Sequence, residues 1–571
     1  MKLKKAAAFM LATAIAVMGI AGCGKKDMAN TESSKNAEVT ESQQSKDSTS
    51  SGELVLTEDG VTEKGVFPIV PEKITLTAVV VQLPYISDMK TNEFTQWLEE
   101  VTNIHLDMTV VPSEGLKDKL NLMLSTGDYP DIIMTGAATS NMDVVKYGMT
   151  EKIYIPLNDY INKYSENLVA RWEEMPEIKE GMTAPDGNVY VLPTFEGYVG
   201  HKAVSYKQWV NKGWLDNLGM EVPTTIEEYY DMLVAFKNED PNGNGKQDEI
   251  PLTGAYGTWA ADPYYFILNA FDYFEGSLVK LKDGKFSAVA DTDGFKEGLK
   301  FLNKLYAEGL LDPASLTQDL NQLVQVTRNE ENIVGAYSAG HVAMGIDYTN
   351  KEVFENWTYI LPLKGPNGYQ GIPVDDKQAI AGGPFAITDK CKNPAAAFRM
   401  ADMLFGDLDS YVQQNWYKGR TWEDPTPGSK GVTGLDARFK QIPAPAGQTQ
   451  TSIDWGTACC MGWEKNHKLY LEFTGDIKDP VNYEAYVIQV TEEYKKFAAE
   501  YEQKMPTWDD METAEKLNNM FTPIHDYVNT SIVDFITGNK NVDKDWQEYL
   551  DGLKQLGYYE YIQLKQDTYF K

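Results

Sequence analysis

The spacing of apolar residues predicts alternating strands and helices from about residue 66 onward. An apolar run at 74–81 and strict alternation at 104–110 predict strands, whereas apolar side chains repeat at helical spacing along 94–101. A second helix around 116–123 and a short apolar strand at 131–134 follow. Because strands that alternate with helices are typical of a parallel sheet covered by helices, this region is predicted to be an α/β lobe.

Helix signals continue through the middle of the chain and dominate its end. Thr225 and Glu228 have the spacing of a capping box, which predicts the start of a helix. Apolar residues along 295–306 predict another helix that ends at Gly309. From about residue 480 the pattern is mostly helical. We therefore predict further α/β structure followed by a helical C-terminal region.

The N-terminal residues have the pattern of an export signal. Three lysines precede an apolar run at 6–20, which is shorter than the roughly 18–20 residues that span a bilayer. Residues 1–22 are therefore predicted to be a signal peptide, and a membrane-anchor helix is the alternative. The ending at 20–23 resembles a bacterial lipobox, which implies that Cys23 is acylated and becomes the mature N-terminus.

A polar segment follows the signal. Residues 30–52 contain almost no large apolar side chain, so burial cannot offset the entropy of ordering them. Residues 23–65 are predicted to be a flexible tether. A mucin-like interaction segment is the alternative, which the shortness of the run and its lack of proline disfavour.

Composition excludes several classes of function. The 571-residue chain carries 84 acidic and 52 basic side chains, and its formal net charge is −32. Nucleic-acid phosphates and anionic lipids would repel such a chain, so no nucleic-acid partner is expected. Four cysteines and five histidines leave little room for a disulfide scaffold or for a zinc site rich in those ligands.

The sequence motifs of common enzymes are missing. The chain contains no His-Glu-x-x-His motif, no Walker-type phosphate loop and no Gly-x-Gly-x-x-Gly fingerprint. The segment 335–340 resembles a nucleophile elbow, but its first glycine stands one residue too early. We therefore predict a binding protein rather than an enzyme. A surface carbohydrate hydrolase with paired carboxylates stays open as the least favoured alternative.

The segment 240–249 has the residue pattern of a calcium-binding loop. Oxygen-bearing side chains stand at loop positions 1, 3, 5 and 9, and glycine stands at position 6. Position 12 is Pro251, which has no side-chain ligand, so Glu249 at position 10 is the predicted substitute. An ordinary turn rich in Asn and Asp is the alternative. The predicted ligands of a structural calcium ion are Asp240, Asn242, Asn244, the carbonyl of Lys246, Asp248 and Glu249.

Several further segments carry a family resemblance. They are residues 127–131, 186–193, 214–229, 240–252, 305–313, 364–368 and 535–538, with Trp546. In this order they resemble the extracellular solute-binding proteins of family one, most closely the lipoprotein branch that includes alginate-binding periplasmic proteins. The resemblance covers most of the chain after residue 66, and the order of the segments and the calcium loop are its specific parts.

The resemblance implies a type II periplasmic-binding-protein-like fold. Such a fold has two α/β lobes with a ligand cleft between them, here with a helical C-terminal region. The chain crosses between the lobes more than once, and crossings are expected near 193–196 and 335–345. The implied first lobe is 66–195 plus about 340–389, and the implied second lobe, with the calcium loop, is 196–339 plus about 390–571.

The resemblance also implies a function. It implies a membrane-tethered extracytoplasmic receptor of an ABC importer, which captures an oligosaccharide and delivers it to the permease subunits. The same scaffold with a peptide or signal-molecule ligand is the alternative, because a fold does not fix its ligand. The net charge argues against a polyanionic sugar such as alginate, and the protein is expected to be a monomer.

Candidate ligand contacts follow from the chemistry of sugars. Sugar rings pack an apolar face on Trp or Tyr, and their hydroxyls need amides and carboxylates. Sites in open α/β lobes gather at the carboxyl ends of strands. The candidates are Gln82, Tyr85, Thr135, Glu196, Trp259, Tyr264, Trp422, Trp455 and Trp463, with Trp455 and Trp259 leading. For each aromatic, a place in the core is the alternative.

Overall fold

Strands and helices alternate through the part of the chain that the computed structural model describes. The described residues are 54–82, 86, 88–112, 115–135, 140–174, 176–196, 203–375, 379–405, 419, 422–442, 455, 467–502 and 508–569. The predicted signal peptide, Cys23 and most of the predicted tether lie outside them, as do Tyr85 and Trp463.

The described strands form a five-stranded sheet, a four-stranded sheet and two-stranded pairs. They are β1 (Ile74–Gln82), β2 (Ile104–Pro112), β3 (Ile132–Met134), β4 (Val191–Glu196), β5 (Gln208–Asn211), β6 (Ile250–Thr253), β7 (Val279–Lys282), β8 (Lys285–Ala288), β9 (Val334–Ser338), β10 (Trp357–Ile360), β11 (Ala379–Ile387), β12 (Trp422–Glu423) and β13 (Lys440–Gln441). The strands predicted at 74–81, 104–110 and 131–134 are thus confirmed as β1, β2 and β3.

The α-helices cover these sheets and fill the C-terminal region. They are α1 (Glu93–Thr102), α2 (Leu116–Thr126), α3 (Asn141–Asp143), α4 (Asn158–Tyr164), α5 (Asn167–Glu174), α6 (Pro176–Met182), α7 (Lys212–Leu218), α8 (Ile226–Asn238), α9 (Pro263–Leu268), α10 (Asp293–Ala307), α11 (Leu320–Thr327), α12 (Lys351–Glu355), α13 (Pro394–Leu404), α14 (Tyr483–Lys495), α15 (Met511–Thr537), α16 (Val542–Gln555) and α17 (Tyr558–Tyr569). The capping box predicted for α8 is confirmed, because the Thr225 hydroxyl accepts the Glu228 N–H at 3.2 Å and the Glu228 carboxylate accepts the Thr225 N–H.

The first lobe is built on the five-stranded sheet, in the order β2-β1-β3-β11-β4. Strand β1 pairs in parallel with β2 and β3, and β11 runs antiparallel to β3 and β4. Leu98 of α1, Leu120 of α2 and Phe398 of α13 are buried with the strands in one apolar cluster. The apolar stripe of each helix therefore covers the sheet, as the helical spacing predicts.

The second lobe is built on the four-stranded sheet, in the order β10-β5-β9-β6. Strands β6 and β9 are parallel, whereas β5 runs antiparallel to β9 and β10. A separate apolar cluster buries this sheet beneath helices that include α8, α10 and α14 to α17. The helical C-terminal region is thus largely a part of the second lobe.

The lobe boundaries implied by the resemblance need two corrections. Residues 340–375 belong to the second lobe, because β10 pairs with β5 and Val342, Phe354 and Ile372 are buried in the second cluster. Helix α13 belongs to the first lobe, where Phe398 and its neighbours are buried. The chain therefore returns to the first lobe at β11 and stays there longer than expected.

The end of the predicted tether also needs a correction. Residues 54–65 are folded onto the first lobe, since Leu56 forms a β-bridge with Thr62, and Val61 and Thr62 are buried. The Thr62 carbonyl accepts a hydrogen bond from the buried guanidinium of Arg399. Tertiary contacts therefore order a segment whose local composition predicts a tether.

Helix α15 connects the two lobes. It begins beside Trp508, which packs against the first cluster and donates its indole N–H to the Gly181 carbonyl at 3.2 Å. Its second half is buried in the second cluster through Ile524, Ile532 and Phe535. Between these ends, residues 512–523 are exposed or half-buried.

No helix of the described ranges combines the length and the apolar character needed to cross a membrane.

Candidate functional site

Two loops leave the second sheet from the same edge. Strands β6 and β9 are parallel, so the loops after them, residues 254–262 and 339–341, start side by side. Carboxyl ends of parallel strands are the usual place for ligand sites in α/β lobes. The geometry of this edge therefore defines the candidate site on the second lobe.

Trp259 stands at the tip of the first loop. Its side chain is half exposed, at 47% of the residue surface, and its ring lies 6.3 Å from that of His341. The indole packs directly over Gly340, where an added Cβ would lie 2.3 Å from Cζ3 of the tryptophan. Only glycine at position 340 admits the ring in this position.

Behind His341 lies a second aromatic layer. The Tyr483 hydroxyl and Nδ1 of His341 are 2.8 Å apart, and Tyr348 stacks on Tyr483 with ring centroids 4.0 Å apart. Burial raises the pKa of Tyr483 well above its ordinary value, so its hydroxyl stays protonated. Tyr483 is the first residue of α14 and lies about 140 residues after His341, so this aromatic layer is formed by segments that are far apart in the chain.

The loop that carries Trp259 is anchored at its base. Oδ1 of the buried Asp262 accepts the backbone N–H of Gly257 at 2.9 Å. On the other side, Gln318 donates to the Thr253 hydroxyl at 2.9 Å and to the Gly254 carbonyl at 2.6 Å. Desolvation raises the pKa of Asp262 to about 6.

Three predicted ligand contacts lie at the corresponding edge of the first sheet. Gln82 ends β1, Thr135 directly follows β3, and Glu196 ends β4. The register pairs Val80 with Met134, which places Gln82 and Thr135 on neighbouring strand ends. Thr135 is buried, and its hydroxyl has no hydrogen-bond partner among the described residues. The residue types at these strand ends are polar, in contrast to the aromatic residues at the edge of the second lobe.

Trp455, a leading candidate, is not at a ligand surface in this structure. It is fully buried in the first cluster, edge-on to Phe94 with ring centroids 4.9 Å apart. Its indole N–H donates to the Thr95 hydroxyl at 2.7 Å. Trp455 is therefore a core residue against α1 in this structure, and its role as a ligand contact stays a prediction.

Two other predicted aromatic contacts also pack within the protein. Tyr264 is buried in the second cluster, at 3% exposure, so it supports the Trp259 loop from behind. Trp422 is half-buried and packs edge-on against Phe439 at 4.8 Å, in a small cluster of its own. Tyr85 and Trp463 lie outside the described residues and stay predictions.

A cavity of about 420 Å³ lies in the first lobe but is formed by helices rather than strand ends. Phe67, Trp97 and other apolar side chains line it. Its polar groups are satisfied within the protein, because Arg399 donates to the Val66 carbonyl at 3.0 Å and Asp402 accepts backbone N–H groups at the start of α5. We therefore do not assign it as the ligand site.

The predicted calcium loop is a tight turn held by its own oxygen atoms. The two carboxylate oxygens of Asp240 accept the N–H groups of Asn244 at 3.1 Å and Gly245 at 3.0 Å. Asn242 also accepts the Asn244 N–H, at 3.0 Å. The Asn244 amide donates to Asp248 at 3.1 Å and thereby lowers the pKa of that carboxyl. The predicted oxygen donors are thus gathered around one turn.

Two further side chains bear on whether this loop fits a cation. Lys246 points its ammonium away to Glu331, at 2.7 Å, so its carbonyl is the group that the loop offers. Oε1 of Glu249 is buried without a hydrogen-bond partner among the described residues. Within those ranges, no group of three or more His, Cys, Asp and Glu side chains is arranged to hold a metal. In this structure the carboxylates of Asp240, Asp248 and Glu249 therefore do not form such a group, and asparagine and carbonyl oxygens would have to complete a calcium site.

Comparison with known proteins assigns the family. A sequence model of the bacterial extracellular solute-binding protein family matches residues 86–407, more than half of the chain. The chain belongs to the bacterial extracellular solute-binding proteins. The family is one of binding proteins, so this chain is a receptor and not an enzyme.

Relatives of this solute-binding protein extend the comparison. The fructooligosaccharide ABC transporter substrate-binding protein FusA of Streptococcus pneumoniae is 30% identical over 528 residues, which cover 90% of this chain and 92% of FusA. A solved structure of the S. pneumoniae FusA EF-hand mutant in complex with fructo-nystose has a TM-score of 0.70 at 26% identity, covering 86% of this chain and 98% of that chain. The alginate-binding protein AlgQ2, solved without calcium ion, has a TM-score of 0.65 at 20% identity, covering 89% and 100%.

These likenesses confirm the predicted fold class. The solute-binding protein has two α/β lobes of the periplasmic-binding-protein type, with a ligand cleft between them. The likeness to AlgQ2 bears on the fold alone.

Sequence reasoning missed the residues that support Trp259. His341 closely follows the end of β9, a strand that is not predicted from the sequence, so its place at a strand end is not visible from the sequence. Asp262 and Tyr483 carry no local signal, since one acts across a loop and the other arrives from a distant helix. Only the tertiary structure of this solute-binding protein brings them together.

Proposed function

We propose that this solute-binding protein captures a neutral oligosaccharide of the fructooligosaccharide class and delivers it to the permease of an ABC importer. The observation that carries the proposal is the half-exposed Trp259 ring, seated on Gly340 at the carboxyl edge of the second sheet. The similarity to FusA, named as a fructooligosaccharide-binding protein, supports the ligand class.

The chemistry of the two edges suits an uncharged sugar. An exposed indole offers a flat apolar surface for the C–H face of a sugar ring. Gln82, Thr135 and Glu196 end or follow strands of the first sheet, where amide, hydroxyl and carboxylate groups can bond sugar hydroxyls. The net charge of −32 disfavours a polyanionic ligand.

The test is calorimetric titration of the purified protein with fructo-nystose, an alginate oligomer and a peptide library. We expect fructo-nystose to bind without being cleaved, and Trp259→Ala to weaken its binding by about 1–3 kcal/mol. Tyr559→Ala is the matched control, because Tyr559 is an exposed aromatic of α17, at 40% exposure, on the same lobe.

Each other result has a defined meaning. Tight binding of peptides without binding of sugars would show that the protein is a peptide receptor and not a sugar receptor. Steady release of shorter sugars would indicate a hydrolase. Equal affinities of Trp259→Ala and Tyr559→Ala would remove Trp259 from the site while leaving the ligand class standing.

We also propose that the protein is held at the outer face of the cell membrane by acyl chains on Cys23. Each buried methylene contributes about 0.8 kcal/mol, so two or three acyl chains would anchor it stably. Mass spectrometry of the membrane fraction is expected to find an acylated Cys23 as the first residue. A soluble product that retains unmodified Cys23 would contradict this anchor.

Calcium binding at residues 240–249 is the remaining part of the proposal. The buried, unpartnered Oε1 of Glu249 and the oxygen-only donor set fit a calcium ion, which would neutralise the carboxylates of Asp240, Asp248 and Glu249. The solved structure of a FusA EF-hand mutant supports such a loop in a relative. Calorimetry with calcium, and with magnesium as the competing ion, tests whether this loop binds it selectively.

The expected partners are the permease subunits, and the protein is expected to act as a monomer. Sedimentation of the purified chain with and without fructo-nystose tests the second point, since a ligand-dependent dimer would change the sedimentation coefficient.

A further inference from the structure

The Trp259 loop is closed by one buried carboxylate. Residues 254–262 leave β6 and return to α9, and the Asp262 side chain reaches back across the loop to the Gly257 N–H at 2.9 Å. Gly257 has a φ of +62°, a conformation that other residues adopt with strain. The loop ends also approach each other through the Ala255 N–H and the Ala261 carbonyl, at 2.9 Å.

Two further backbone hydrogen bonds hold the outer part of the loop. The Ala261 N–H donates to the Thr258 carbonyl at 3.0 Å, which turns the chain immediately around Trp259. The Tyr256 N–H donates to the Gln318 carbonyl at 3.0 Å, on the strand side of the turn. The bond from Gly257 to Asp262 links the rising half of the loop to the residue that precedes α9.

The carboxylate that holds this loop is unusual because it is buried. Asp262 is 8% exposed, so its ionised form has lost most of its hydration. The charged and titratable groups that face it are tyrosines: Tyr264, which also bonds to it, and Tyr206, Tyr256 and Tyr265. Asp526 and Glu275 act on the same tyrosines and add negative charge around them.

An ionised carboxylate at this place favours function over stability. A bond from an N–H to a carboxylate is about twice as strong as one to a neutral acceptor. The ionised form therefore fixes Gly257 firmly, while its desolvation opposes folding. Since an asparagine could accept the same bond without a charge, the charge itself requires an explanation.

We propose that Asp262 is a positioning residue for the Trp259 platform, and that its ionisation makes sugar binding strongest above mildly acidic pH. The proposal rests on the proposed function, because it takes Trp259 to be the ring-stacking residue. Protonation converts the carboxylate into a weaker acceptor, the Gly257 bond loosens, and the indole is less firmly held over Gly340. The preference is thus built into the base of the loop and not into a sugar contact.

The pKa of Asp262, raised to about 6 by burial, sets the range. Affinity is expected to fall as pH drops through about 6, because the protonated fraction rises there. The effect on folding has the opposite sign. The pKa of Asp262 in the folded protein lies above its ordinary value of 3.8, so the protein loses stability from this group as pH rises from that value through about 6.

The test compares three variants by calorimetry with fructo-nystose from about pH 5 to about pH 7.5. Asp262→Asn keeps the acceptor but removes the charge, and Asp262→Ala removes both. Asp319→Ala is the control, since it deletes an exposed helix cap of α11 in the same lobe. Hydrogen exchange of the Gly257 amide, followed by mass spectrometry of the loop peptide, reports the tie without any ligand.

We expect the wild type to bind about fivefold to tenfold more weakly at the acidic end, since a charge-assisted bond is lost. Asp262→Asn should bind with no such pH dependence and melt at a higher temperature than the wild type at the upper pH. Asp262→Ala should bind about tenfold or more weakly at every pH, because the Gly257 donor is left unpaired. The control should keep the wild-type profile.

Contrary results separate this inference from the proposed function. A wild-type pH profile in Asp262→Asn, or wild-type affinity in Asp262→Ala, overturns the inference and leaves sugar binding intact. If the wild type binds no fructooligosaccharide at any pH, the proposed function fails. Hydrogen exchange of the Gly257 amide then tests on its own whether Asp262 holds the loop. Faster exchange at Gly257 in Asp262→Ala then supports the tie, and unchanged exchange overturns it.

Discussion

The carboxyl-end edges of the two sheets in this solute-binding protein differ in the residues that stand there. On the first lobe, Gln82 ends β1, Thr135 follows β3 and Glu196 ends β4, so the residues at the strand ends are of polar type. On the second lobe, Trp259 stands on a loop and is backed by His341 and a tyrosine layer. Polar residues at one edge and a supported aromatic ring at the other fit the hydroxyls and the apolar face of the proposed sugar ligand.

The same contrast separates two tryptophans. Trp259 is half exposed on its loop, whereas Trp455 is fully buried against α1. Both lie in loops of the sequence, and only one is open to ligand. A tryptophan in a loop is therefore not by itself a ligand contact. The packing around its ring determines whether the ring is exposed.

The largest expected effect tests the buried tryptophan. Trp455→Ala should lower the free energy of unfolding by about 3–5 kcal/mol, because a large core side chain is lost. The folded fraction should still bind fructo-nystose with wild-type affinity. Denaturant titration and calorimetry measure the two quantities, and a selective loss of affinity at unchanged stability would return Trp455 to the ligand site.

A smaller effect is expected from crowding the exposed tryptophan. Gly340→Ala would place a Cβ 2.3 Å from the Trp259 ring and should displace it. We expect fructo-nystose binding to weaken by about 1–3 kcal/mol, comparable to loss of the ring itself. Gly213→Ala is the matched control, because its Cβ would lie 3.3 Å from the nearest atom, a side-chain oxygen. Equal affinity of both variants would show that the ring position is unimportant.

Calcium removal should affect the two lobes unequally. The loop 240–249 lies between α8 and β6, both in the second lobe, so chelation should raise hydrogen exchange there and spare the first sheet. At a tenfold excess over Kd, calcium stabilises by roughly 1.4 kcal/mol. A thermal melt with chelator, repeated on Asp240→Ala with Glu249→Ala, measures this shift. An unchanged wild-type melt would reduce the segment to an ordinary turn.

The smallest effect tests the polar edge of the first lobe. Thr135→Val keeps the shape of the side chain and removes a buried hydroxyl that has no partner among the described residues. Stability should stay level or rise by up to about 1 kcal/mol, while fructo-nystose affinity should fall by about 0.5–1.5 kcal/mol. Denaturant titration measures the change in stability, and calorimetry measures the change in affinity. If affinity does not change, this hydroxyl does not contact the sugar.

Much of the fold could be predicted from the sequence because its signals are local. The strand at 74–81 and the capping box at Thr225 depend on residues within a few positions of each other, and both are present. Lobe membership could not be predicted, since α13 joins the first lobe through packing that no local pattern specifies. The segment at 54–65 likewise gains its order from Arg399, more than 300 positions away.

The candidate site shows the same limit. Strand ends are visible in a sequence, so the rule that ligand sites gather there predicts Gln82 and Thr135 as candidates, whereas Trp259 is predicted only as a loop aromatic. Burial is decided by the tertiary structure, which placed Trp455 and Tyr264 inside the protein. The contact between His341 and Tyr483 joins segments about 140 residues apart, so no spacing rule reveals it.

Helix α15 makes the mechanics of the molecule asymmetric. The C-terminal half is set in the core of the second lobe, and the N-terminal end lies against the first lobe, next to Trp508 and near α3. A rotation between the lobes must therefore either break that attachment or be absorbed by the sparsely packed stretch before Ile524. A rotation of one lobe relative to the other is therefore expected to bend or displace the N-terminal half of α15, while its C-terminal half stays with the second lobe.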